Sequence, residues 1–208
     1  LRKKRTIRIT RLNTDPIKDP ANEILFTSNV LLTVPSPFTQ IDELDLSENM
    51  KSRLHKIIKD PQIYWYDHPI QIGVRTEKNE VVYGLKGLDK AIEFEKKMGV
   101  VKKDTKVHCV LSVSATHTGL HNLAKEYLEG VLKRTKGMHN LHVYVLTESD
   151  VTRIIDEILC PATRYYLGSK NVKLLYEIVG VDGEYGRHYT FLKAISALWQ
   201  VLINSRIK

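Results

Sequence analysis

Three short segments of this 208-residue chain gather the side chains that could hold a charged ligand. Ser114, Ala115 and Thr116 lie in SVSATHTG, Glu148 and Asp150 in LTESD, and Asp182, Arg187 and His188 in VDGEYGRHYT. A small, hydroxyl-rich loop before a helix offers free backbone N–H groups and the positive end of the dipole to phosphate or carboxylate. Carboxylates at a strand end accept hydrogen bonds from ribose hydroxyls or a base N–H, or bind a metal. Arginine presents a two-pronged donor to phosphate, and histidine donates to phosphate or transfers a proton. Together these groups point to a nucleotide-type ligand.

Each group also has a purely structural use. The serines and threonines can cap a helix, as can Ser149 or Asp150, and Asp182 or Glu184 can pair with Arg187. Glu148 has no capping role and is the more telling carboxylate. No Walker loop is present, and Gly119 alone does not make a dinucleotide fingerprint. His117 and His121 are four apart and would share a face if helical, but two histidines are too few ligands for a metal site. No metal ligands are assigned, and neither cysteine has a catalytic partner by spacing.

These segments are positioned by alternating strand and helix patterns. KVHCVLSVS reads as a strand buried on both faces, as parallel sheets require. Leu120, Leu123, Ala124, Tyr127, Leu128, Val131 and Leu132 then recur at helical spacing. LHVYVLT followed by Val151, Ile154, Ile155, Ile158 and Leu159 repeats that plan. NVKLLYEIVGV followed by Phe191, Leu192, Ile195, Leu198, Trp199 and Leu202 predicts a third strand and helix. Right-handed crossovers put the strand ends on one rim, where open α/β sheets bind ligands.

The first half is read as a β-rich extension with two helices. TIRITRLN and ILFTSNVLLTV are strand-like, and IYWYDHPIQIGV with NEVVYGL predicts a hairpin or two short strands. Ser47 caps a helix on Met50, Leu54, Ile57 and Ile58, ended by Asp60-Pro61. GLDKAIEFEKKMG is a second helix stopped by Gly99. The boundary is set at residues 1–104 and 105–208, the first part being either a separate extension or added strands of the same sheet.

The composition, 42% hydrophobic and 27% charged, is that of a globular protein. No apolar run reaches the roughly 18 residues of a membrane helix, and no signal peptide is read. Two cysteines make no disulfide framework, so a cytoplasmic setting is expected. The net charge of +8 favours polyanionic partners, and the basic start from Arg2 to Arg11 is either a nucleic-acid arm or a solvated strand edge.

In segment order the chain resembles GT-A nucleotide-diphospho-sugar transferases of the family 2 type. VLSVSATHTGLHNLAKEYL resembles their opening strand, loop and helix; VYVLTESD resembles their acidic strand end; GEYGRHYTFLKAI resembles a variant of their third element. The resemblance covers about half the chain. It implies a Rossmann-like, mostly parallel sheet with helices on both faces. It also implies a glycosyltransferase that moves a sugar from a nucleotide-diphospho-sugar donor to an acceptor hydroxyl. Ser114, Ala115 and Thr116 would line base and ribose, Glu148 and Asp150 would bind base edge or ribose, and Asp182 would approach the nucleotide. Arg187, with His188, would face the pyrophosphate. A divalent cation, Mn²⁺ or Mg²⁺, is implied too, but the family's DxD-like pair would follow the last residue, Lys208, so the C-terminal core is expected to be incomplete. The alternatives are another nucleotide-dependent enzyme, nucleotidyltransferase-like, or a basic nucleic-acid-binding module.

Overall fold

The computed structural model describes residues 10–179, apart from 12, 13, 16, 64, 66, 67 and 170. In chain order the elements are α1 (Pro20–Glu23), β1 (Leu25–Thr33), α2 (Glu48–Ile57), β2 (Ile70–Gln71) and α3 (Glu80–Lys97). They continue with β3 (Val107–Ala115), α4 (His121–Arg134), β4 (Leu141–Thr147), α5 (Glu148–Ile154), α6 (Cys160–Leu167) and α7 (Lys173–Val179). The four described strands form one all-parallel sheet in the order β2-β1-β3-β4. The class is α/β and Rossmann-like, as the strand and helix periods predict.

Helices cover both faces because side chains alternate along β3. Cys109, Leu111, Val113 and Ala115 point into the larger core, with Leu54 of α2, Leu85 of α3 and Leu123 and Leu128 of α4. Val110 points the other way, onto Val151, Ile155 and Cys160. Burial raises the Cys109 thiol to about 11, so it packs as a small apolar residue and not as a nucleophile. Ser47 accepts from Met50 N and caps α2. Gly99, at φ 73°, closes α3 with bonds from Gly99 N to Lys96 O and from Val100 N to Glu95 O, a left-handed stop that glycine makes without strain. Between α5 and α6 the backbone widens to a π-turn over Ile155–Leu159. Pro161, the second residue of α6, lacks an N–H and would crowd the carbonyl four residues back in a regular helix.

Of the two readings of the first half, the structure shows added strands of the same sheet: β1 lies inside it, paired to β3 from Leu25↔His108 to Leu32↔Ala115. Two expectations are corrected. NEVVYGL is no strand. Asn79 caps α3 by accepting from Val81 N and Val82 N, and Val81, Val82, Leu85, Asp89 and Ile92 then fall on one buried helical face. Ile70–Gln71 pairs in parallel with β1, so there is no hairpin here. VKLLYEI forms α7 in place of a third strand: Val172, Leu175 and Tyr176 pack on the smaller core at helical spacing, and Asn171 Oδ1 accepts from Lys173 N. The basic stretch from Arg2 to Arg8 and the helix from Phe191 lie outside the described residues.

Candidate functional site

Because all four strands run the same way, their carboxyl ends share one rim. The chain steps from β1 outward to β2 and then back across to β3. The strand order therefore reverses between β1 and β3, the place where open α/β sheets form a ligand crevice.

Two threonines meet there. Thr116 Oγ1 donates to Thr33 Oγ1 at 2.7 Å and lies 2.8 Å from His117 Nδ1. Thr116 N also donates to Leu32 O, which carries the β1–β3 ladder past the end of β3. Thr116 and His117 are buried. Burial lowers the His117 pKa, and the Asp60 carboxylate opposes this only in part. Asp60 also packs over the next turn: a Cβ at Gly119 would meet Asp60 Oδ2 at 2.9 Å and Ile57 Cγ1 at 3.2 Å. Gly119 thus lets Asp60 and Ile57 pack closely against this turn.

The second cluster lies one strand along. Val113 pairs with Thr147, so Ser114 and Glu148 each stand one residue beyond that rung. Glu148 opens α5 with only 1% of its surface exposed. Its Oε2 forms an ion-pair contact with His121 Nε2 at the start of α4. Neither carboxylate oxygen, nor His121 Nε2, has a partner of normal hydrogen-bond geometry among the described residues. A buried acceptor left in this state costs about 1–3 kcal/mol.

Asp150 is fully engaged by comparison. Lys125 Nζ donates to its Oδ1 at 2.7 Å, while Thr147 N and Thr147 Oγ1 donate to its Oδ2 at 2.9 and 3.0 Å. Thr147 and Asp150 form a capping box at the start of α5, so Thr147 takes the cap position and Asp150 supports it from the third residue of the helix. Burial alone would raise the Asp150 pKa; the Lys125 and Thr147 hydrogen bonds and the Lys125 charge outweigh it and hold the carboxyl below its usual range. A lowered folded-state pKa gives stability that is present above the ordinary aspartate value and lost as pH falls through the folded value. Asp150→Asn is therefore expected to flatten the acid limb of the stability curve below about pH 4, read by urea unfolding across pH. An unaltered limb would remove Asp150 from the acid response.

Of the sequence-derived candidates, the structure brings Ser114, Ala115, Thr116, Glu148 and Asp150 to one rim. Ser114 is half-buried and Ala115 is a core residue. Asp182, Arg187 and His188 lie outside the described residues. His117 and His121 do not share a helical face, since α4 begins only at His121 and His117 has extended backbone. Among the described residues no group of three or more His, Cys, Asp or Glu side chains could hold a metal ion, and no helix is long and apolar enough to cross a membrane.

Sequence reasoning missed Thr33, Asp60 and Lys125, and considered His121 only as a metal ligand. One signal was available. His121 and Lys125 are one helical turn apart, and they meet Glu148 and Asp150, two apart at a strand-to-helix junction. Comparison with protein-family models, with curated proteins and with solved structures finds no match.

Proposed function

We propose that the chain carries the donor-binding α/β core of a glycosyltransferase that uses a nucleotide-diphospho-sugar. One observation supports this above the others: the buried Glu148 carboxylate, with an oxygen that has no hydrogen-bond partner among the described residues, stands at the carboxyl end of β4 beside the hydroxyl-bearing end of β3. A carboxylate in that state suits a base N–H or a ribose hydroxyl. The α4 and α5 N-termini beside it favour negative charge through their dipoles. In the reaction the acceptor oxygen bonds to the anomeric carbon and loses its proton, while the sugar's bond to the diphosphate breaks and the nucleoside diphosphate leaves. The protein's part is to hold the donor and steady developing charge. The described residues assemble no ligand set for a divalent cation, so no step is assigned to one. Two free, buried cysteines accord with a reducing, cytoplasmic setting.

A second reading draws on the strand order. The arrangement β2-β1-β3-β4 matches the start of the other common doubly wound order, which binds nucleotides at its β1/β3 switch point. It favours a different nucleotide-dependent enzyme, such as a nucleotidyltransferase.

A thermal-shift screen followed by calorimetry separates the two. Nucleoside diphosphates, their sugar conjugates and nucleoside triphosphates are each offered with and without Mn²⁺ or Mg²⁺. Selective stabilisation by one nucleotide sugar is the expected result. Preference for a free triphosphate moves the assignment to the second reading, and no response to any nucleotide refutes both.

A further inference from the structure

A cleft of about 570 Å³ has none of the Glu148 cluster in its lining. One wall is the segment that follows β1, carrying Phe38, Glu43 and Asp45. The other follows β2 and carries Arg75 and Glu77, and α4 closes the floor with Tyr127 and Arg134. The floor is fixed in place: the Tyr127 hydroxyl donates to Val74 O at 3.2 Å, and Asn79 Nδ2 donates to the same hydroxyl at 3.4 Å. Gly73, at φ 85°, packs closely under Leu44, whose Cδ1 lies only 2.7 Å from where a Cβ would stand.

The cleft brings exposed side chains of both charges to one place. The arginine ion pairs among the described residues are those of Arg53 and Arg153. Arg75 and Arg134 have none, although three carboxylates line the same cleft. With no ion pair among the described residues, the two exposed guanidinium groups are open to a ligand. The volume falls within the range of small-molecule sites, roughly 300–1,000 Å³. Phe38 stands 96% exposed at its mouth, an apolar plane with nothing packed on it.

We infer that this cleft binds an anionic sugar, a sugar phosphate or a sugar carboxylate. Arg75 and Arg134 take the anion, because a guanidinium matches phosphate and carboxylate geometry with paired N–H donors. Glu43, Asp45 and Glu77 accept from the ring hydroxyls, which are donors in number. Phe38 covers the apolar C–H face of the ring. The cleft stands independently of the nucleotide site; the choice of a carbohydrate as occupant rests on the glycosyl-transfer reading, in which this ligand is an acceptor or a product fragment.

The test is calorimetric titration of the whole chain with glucose, galactose and mannose 6-phosphates and with glucuronate. Glucose, inorganic phosphate and phenylalanine serve as controls. The expected result is saturable binding of at least one anionic sugar, weakened at least tenfold by R75Q/R134Q and also weakened by F38A. These side chains lie at the surface of the cleft, so melting temperature is expected to hold. No binding across the panel, or equal binding in R75Q/R134Q, overturns the proposal. Inorganic phosphate binding as tightly as the sugar phosphates overturns the sugar, and tighter binding of phenylalanine replaces it with a zwitterionic amino acid. Nucleotide affinity is measured on the same samples. If nucleotides fail to bind while anionic sugars bind, the donor-site reading falls and the cleft assignment stands.

Discussion

Glu148→Ala is expected to weaken binding of the cognate nucleotide ten- to a hundredfold while the domain stays folded. The size follows from the loss of a hydrogen bond to a charged group, about 1.5–3 kcal/mol. The sign on stability follows from burial. The wild-type carboxylate is 1% exposed and has no hydrogen bond of normal geometry among the described residues. Removing it relieves a desolvated charge, but it strips His121 of its ion-pair contact and leaves a small void. These effects oppose each other, so the net change in stability is expected to be small beside the change in affinity. Glu148→Gln separates charge from shape: a ligand that donates to the carboxylate loses affinity in both variants. A lowered melting temperature with unchanged nucleotide affinity would make Glu148 a structural residue and remove the main support for the donor site.

The second large effect concerns β1. Leu32→Ala is expected to cost about 2–5 kcal/mol, because Leu32 is fully buried in the larger core and truncating a core leucine leaves a cavity. Against a typical total of about 5–15 kcal/mol this is severe, and melting should fall by on the order of 10 °C. Ser28→Ala, at an exposed position of the same strand, should stay within about 0.5 kcal/mol. Urea unfolding of both variants decides the matter. Equal, small losses would mean that β1 is not part of the core. The same logic predicts that residues 105–208 expressed alone give no cooperative unfolding transition, since β3 would lose the strand paired along eight of its residues.

Local signals made the two central units legible. The doubly apolar run of β3, the stripe of α4 and the alternation into α5 are each written within about thirty residues, and all three appear in the structure. So do the Ser47 cap and the Gly99 stop. Two segments mislead because their β-branched and aromatic residues favour strands by propensity alone. Val81 and Val82 sit in a helix since Asn79 caps it and one face is buried. VKLLYEI is a helix since the smaller core accepts residues spaced three and four apart. β1 is legible as a strand that could join the sheet, but not its place beside β3: that partner lies over 80 residues away, and parallel pairing leaves no turn signature in between. For the same reason the Thr33–Thr116 and His121–Glu148 contacts emerge only from the folded chain.

The brevity of β2 carries a further consequence. It pairs only with Leu32 and Thr33, so among the described residues the flank of β1 from Leu25 to Leu31 has no strand hydrogen-bonded to it. Such a flank offers main-chain groups that any extended peptide can match, whatever its side chains. Thr27, Ser28 and Asn29 are exposed there, and their polarity discourages a dry seam with another molecule. Substituting them with valine or isoleucine should leave the fold intact and turn the molecule into a seed for self-association, visible as concentration-dependent growth in light scattering.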